Sequence, residues 1–188
     1  MLNKRKSVME QKKNGNDYTH LLQNLSRLPR KIIALHEFDN VTEYVLHELC
    51  NSDCFNIIKA AYFVDNPDFD CFRGVAGYAQ DEQFEGDESV VNDPSVFTKH
   101  LEHCAFNQKV RETSTASIKR SEQKDHELIE QIAQKLGLEA PSVRVWSLKH
   151  GNQGLLIFVH GQDLANQDEA FNEHLENGLH MLGFCPVG

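Results

Sequence analysis

Residues Ser142–His160 read SVRVWSLKHGNQGLLIFVH, and this stretch decides the fold. Val143–Leu148 is short and rich in β-branched and aromatic residues, which predicts a strand. His150–Gly151–Asn152–Gln153 carries turn chemistry, and Gly154–His160 returns as the hairpin partner. Leu155–Val159 is the longest wholly apolar run in the chain. It falls far short of the roughly 18 residues a membrane span needs.

A second hairpin lies upstream. Phe55–Val64 (FNIIKAAYFV) reads as a buried strand, Asn66–Pro67–Asp68 as its turn and Phe69–Tyr78 (FDCFRGVAGY) as its partner. Helical periodicity fills the remaining segments. Asn40 with Glu43 predicts a capping box ahead of Val41, Tyr44, Val45 and Leu49. Asp93–Pro94 predicts the start of a helix whose apolar face is Val96, Phe97, Leu101 and Cys104. Asp125 is placed to cap a helix with Leu128, Ile129, Ile132, Ala133 and Leu136 inside, stopped by Gly137. Asn166 with Glu169 suggests another capping box before Phe171, Leu175, Leu179 and Leu182. Gln108–Thr113 is expected to be a short edge strand, 79–92 an acidic loop and 114–124 a loop or a solvated helix start. Hairpins separated by helices make an α+β domain: a central antiparallel sheet with helices packed on it, of five strands by this reading.

The formal charge of −9 conceals an asymmetry. Residues 1–31 hold eight basic side chains against Glu10 and Asp17, whereas the rest holds 11 basic and 26 acidic ones. So acidic a body repels phosphate backbones, and nucleic acid is not expected there. Residues 1–17 read as a basic, flexible tail. Residues 18–31 read as a short amphipathic helix and linker bearing Leu21, Leu22, Leu25 and Leu28, ended by Pro29. The body spans 32–188. With no apolar stretch behind the basic start, no signal peptide or membrane insertion is expected. Five cysteines then read as reduced thiols of a cytoplasmic protein.

The first hairpin, AAYFVDNPDFDCFRGVAGY, and the later run SVRVWSLKHGNQGLLIFVHGQDLANQDEAFNEHLENGLHMLGF resemble the GAF domain family. The likeness covers about Ile32 to Gly183 and consists of apolar and turn patterns; PAS-like sheets are the competing assignment. It implies a non-catalytic sensory or regulatory domain in signal transduction that binds a small molecule or a partner protein. In that architecture the sheet has about six strands, making five to six expected here, and the terminal helices lie together on one side of it. The implied pocket would draw on Tyr62, Phe72, Arg73, Trp146, Phe158 and His160. The stripes Leu21–Leu28 and Phe171–Leu182 further predict a homodimer through the terminal helices.

Chemistry-bearing motifs are sparse. His100, His103 and Cys104 in KHLEHC fall on one predicted helix, with His100 and Cys104 at i, i+4. Imidazole and thiolate suit zinc or haem iron, so a metal- or haem-binding redox sensor is the alternative function. A protein–protein adaptor docking through its acidic face is a further alternative. The chain contains no phosphate loop, nucleophile elbow or dinucleotide fingerprint, and catalysis is not expected.

Overall fold

The computed structural model describes residues 2–66, 71–82, 84, 90, 92–116, 122–161 and 168–185. The expected turn at 67–68, half of the acidic loop and Asn166 lie outside them. Two helices lead in: α1 (Leu2–Leu35) and α2 (Val41–Cys50). The first hairpin is β1 (Ile57–Asn66) and β2 (Cys71–Ala79). After a 3-10 turn at Gln80–Glu82 come α3 (Pro94–Leu101), α4 (Ala105–Arg111) and β3 (Ser114–Ala116). Next are α5 (Glu122–Leu136), β4 (Ser142–Ser147), β5 (Gln153–His160) and α6 (Glu169–Leu182). The α+β reading holds. Among the described residues no helix is long and apolar enough to cross a membrane.

The strands form one antiparallel sheet in the order β3-β2-β1-β5-β4. Four longer strands carry it, and the three-residue β3 adds a short fifth at one edge. Strand alternation divides the side chains between two cores. Ala60, Tyr62, Val64, Leu156 and Phe158 face the layer made by α1, α2 and α6. Ala61, Phe63, Leu155 and Ile157 face α4 and α5. Both faces of the sheet are therefore covered.

The largest departure from the sequence reading is α1. Residues 2–35 form one helix rather than a tail and a short helix, and Pro29 lies inside it. A helix-interior proline costs about 3 kcal/mol. Beyond it, Ile32 and Leu35 are buried, and burying two such side chains contributes about 1.5–3 kcal/mol each. Leu21, Leu25, Leu28, Ile32 and Leu35 step at alternating four- and three-residue spacing, and all are buried against the chain's own core. Phe171, Leu175, Leu179 and Leu182 of α6 are buried in the same layer. Apart from Leu22, which stays 46% exposed, the two stripes expected to form a dimer interface are thus buried inside the domain.

Four smaller corrections concern helix ends. Asn40 makes no side-chain cap; its amide donates to Thr98 Oγ1 at 3.0 Å, while Glu43 turns to Arg111. The predicted edge strand Gln108–Thr113 is mostly helix, because Phe106 and Val110 at i, i+4 are buried against the sheet. Helix α5 begins at Glu122, so Asp125 lies within it rather than capping it. The cap of α6 is Asp168, whose carboxylate accepts the Phe171 N–H at 2.9 Å. Asp93 does cap α3, accepting the Ser95 N–H at 3.1 Å, with Pro94 in the first turn.

Candidate functional site

Titratable side chains converge where α2, β2, α3 and α4 meet. Glu43 and His47 stand one turn apart on α2, while β2 contributes Tyr78 and the turn after it Glu82. Phe97 and His100 come from α3, and Cys104 from the junction with α4. These residues surround a void of about 20 Å³, enough for one water molecule.

The hydrogen bonds explain why the chain folds this way here. Helix α3 stops at Leu101 instead of running through Cys104, whose N–H donates back to the Leu101 carbonyl at 3.2 Å. Cys104 occupies the N-cap position of α4 but supplies no side-chain cap. Glu82 takes over that role from the preceding 3-10 turn, accepting the Phe106 N–H at 3.1 Å through Oε2. His100 Nε2 lies 2.7 Å from the Glu82 carbonyl oxygen and 3.2 Å from Cys104 Sγ. His47 Nε2 accepts the Phe84 N–H at 3.1 Å, which leaves the proton of a neutral ring on Nδ1. That Nδ1 is buried without a hydrogen-bond partner. The Glu43 carboxylate is buried and accepts from the half-exposed Arg111 guanidinium at 2.8 Å.

These contacts fasten the segment between β2 and β3 onto α2. Electrostatics do not activate the thiol: burial, and then the Glu82 charge, push Cys104 up to about 11. Burial also holds the Glu43 carboxyl above its ordinary value, although its own backbone N–H and Arg111 pull the other way. The cluster is a clasp around a water-sized void.

Of the three expected metal ligands, the structure unites two. His103 is exposed, with Nδ1 2.8 Å from the Lys99 carbonyl oxygen, because the end of α3 turns it away from Cys104. Among the described residues no group of three or more His, Cys, Asp and Glu side chains is placed to hold a metal ion. Zinc or haem ligation by His100, His103 and Cys104 together is not supported by this geometry.

The six expected pocket residues are also divided. Tyr62 stacks on Trp146, with ring centroids 5.5 Å apart and planes inclined by 10°. Phe158 packs in the same core, with His160 edge-on at 4.8 Å and Phe171 beyond it. Phe72 lies on the opposite face and Arg73 is exposed. Helices cover the face that holds Tyr62, Trp146 and Phe158, so these side chains fill a core.

The sequence reading missed Glu43, His47, Glu82 and Arg111. One signal was available: Glu43 and His47 interrupt the apolar helix Val41–Leu49 at i, i+4, and such a polar pair on a buried helix face needs partners. It also missed an open groove of about 660 Å³ between α5 and β4, lined by Ile129, Glu130, Leu138, Glu139, Pro141 and Val143 among others. Its lining is mainly apolar, with the exposed side chains of Glu139 and of Glu130, the latter 3.4 Å from His126 Nδ1, among its polar members. No family model, curated protein or solved structure matches the chain.

Proposed function

We propose that this chain is a non-catalytic regulatory domain of GAF-like architecture that acts by docking a partner protein. The architectural part is supported by the placement of the terminal helices α1 and α6 together on one face of a five-stranded antiparallel sheet, with α4 and α5 on the other. The resemblance implies the first of these features, the terminal helices lying together on one side of the sheet.

One observation favours a partner over an enclosed small molecule. The void at the clasp holds about 20 Å³, whereas ligand pockets run to roughly 300–1,000 Å³. Among the described residues, one concavity of that size, the α5–β4 groove, is open to solvent, as a docking surface is. The clasp thiol is held protonated and its imidazole is engaged, so the cluster has no activated nucleophile to offer.

Native mass spectrometry of the freshly purified chain, followed by reconstitution with a partner identified by in-cell photo-crosslinking, tests this reading. The expected result is the bare chain mass alone and a stoichiometric binary complex from purified components. A small-molecule adduct released only on denaturation would overturn it in favour of ligand sensing.

A further inference from the structure

The outer edge of β4 and the groove beside it form one continuous surface. β4 ends the sheet order, and among the described residues no strand pairs with its second edge. Natural sheets protect such edges with proline, bulges or inward-pointing charge. Ser142–Ser147 contains no proline, and its register with β5 runs unbroken from Ser142 to Ser147. Val145 is 55% exposed on this strand. By alternation it shares a face with Val143, which lines the groove under α5. An extended segment added to β4 would bond to backbone groups on that edge, displacing Arg144 from the Val143 carbonyl where the two compete, and alternate side chains would descend toward Ile129, Leu138 and Val143. That is the geometry of strand addition.

Charge selects the occupant. Glu130 and Glu139 border the groove, and residues 32–188 carry 11 basic against 26 acidic side chains. Two-fold pairing of β4 with a second copy would bring two acidic rims together, which is unfavourable. The chain's own basic segment is helical in α1 and cannot serve as a strand. Resting on the partner-docking reading, we propose that β4 receives an extended segment of a partner protein with alternating aliphatic and Lys/Arg side chains. The aliphatic ones occupy the groove and the cations meet Glu130 and Glu139.

The test uses fluorescein-labelled peptides of about eight residues, a strand's length, alternating Lys–Val or Glu–Val, titrated by anisotropy against the full chain. The Lys–Val peptide is expected to bind saturably and at least tenfold more tightly than the Glu–Val peptide. Val145→Lys, an exposed edge substitution that leaves both cores intact, should weaken it at least tenfold. The double substitution Glu130→Lys/Glu139→Lys should reverse the preference. A Lys–Val peptide N-methylated at alternate residues, on whichever set faces β4, should also lose binding. Equal binding to wild type and Val145→Lys, or undiminished binding of both N-methylated registers, would mean charge adsorption and overturn the proposal. So would a light-scattering dimer that Val145→Lys dissolves, which would make the occupant a second copy. A reconstituted partner complex unaffected by Val145→Lys would overturn this site while leaving the partner-docking reading in place.

Discussion

Gly74 on β2 lies directly under the backbone carbonyl of Val110 on α4, with no room for a side chain between them. The contact is fixed from the other side as well, because the Gly74 N–H donates to the Thr113 carbonyl at 3.0 Å. Three residues on, beyond a bulge at Val75 that returns the strand to the same face, a Cβ on Gly77 would come within 2.9 Å of Asn107 Cα. At Gly74 every obstacle is main chain, which cannot rotate away. Gly74→Ala must therefore lift α4 off the sheet, and overpacking of this kind costs about 1–3 kcal/mol. The expected outcome is a lower urea midpoint at unchanged slope, followed by the fluorescence of Trp146, the chain's single tryptophan. An unchanged midpoint would mean that α4 does not sit on β2 as described.

Glu43 makes stability depend on pH in a direction opposite to that of an ordinary salt-bridged carboxylate. Burial raises its folded-state value above 4.5, so the native state holds this proton more tightly than the unfolded chain does. Its contribution is most favourable in acid and is lost as pH rises from about 4.5 through the raised value. Glu43→Gln should therefore gain on wild type as pH climbs through that window and run parallel to it below. Arg111→Ala should be worse than Glu43→Gln at neutral pH, because it leaves a buried carboxylate without its partner. Denaturant unfolding at pH 4, 5.5 and 7 measures both. A pH-independent gap between wild type and Glu43→Gln would refute the assignment.

The parts of the fold that could be read in advance were those governed by local alternation and local capping. Val143–Leu148 and Gly154–His160 pair as expected, and Asp93–Pro94 starts its helix, because strand period and N-cap chemistry act within a few residues. Features set by distant packing were not legible. Pro29 marks a helix end by every local rule, yet Ile32 and Leu35 carry the helix past it because the core of α2 and α6 receives them. Phe106 and Val110 fit either a strand or a helix, and the glycine face of β2 chooses helix by admitting its backbone. At the candidate site, the i, i+4 spacing does bring His100 and Cys104 together, although α3 itself ends at Leu101. The residues that complete the cluster, Glu82 and Glu43, lie 22 and 61 positions upstream of Cys104, beyond the reach of any local spacing rule.

His160 should destabilise the protein in mild acid. Burial, and then the Arg144 charge, lower its folded-state value below the usual 6.5, opposed by a hydrogen bond with the Phe55 backbone. The unfolded chain consequently takes up the proton first. Stability is fully present above pH 6.5 and declines as pH falls below it. In His160→Gln that decline should be shallower. If the two proteins lose stability in parallel between pH 7 and 5, His160 is not held half-buried between Phe158 and Phe171 in its neutral form.

Tyr62→Phe separates packing from hydrogen bonding at the aromatic stack. The Tyr62 hydroxyl and Trp146 Nε1 are both buried without a hydrogen-bond partner. Removing a hydroxyl that bonds to nothing relieves its desolvation while keeping the ring on Trp146. The variant should match or exceed wild-type stability, with unchanged blue-shifted native emission from Trp146. A loss of about 1 kcal/mol or more would show that the hydroxyl is satisfied, by a water molecule held in the core.

Thiol reactivity should single out one cysteine of the five. Cys50, Cys54, Cys104 and Cys185 are buried, whereas Cys71 on β2 is only half-buried. Burial pushes Cys50 well above the ordinary thiol range, Cys54 and Cys185 up to about 12 and Cys104 up to about 11. At neutral pH these four are almost wholly protonated, and the thiolate is the form that reacts. Iodoacetamide at pH 7.5 should therefore modify Cys71 first, as read by peptide mass mapping. The other four should react only at the rate of local or global unfolding and become uniform in denaturant. His100→Ala probes the clasp within the same experiment. If the imidazole only fastens Cys104 to Glu82, its loss should leave Cys104 slow or speed it through local opening, together with Phe106 amide exchange. Fast native alkylation of Cys104 that His100→Ala abolishes would instead reveal an activated thiol–imidazole pair and overturn the non-catalytic reading.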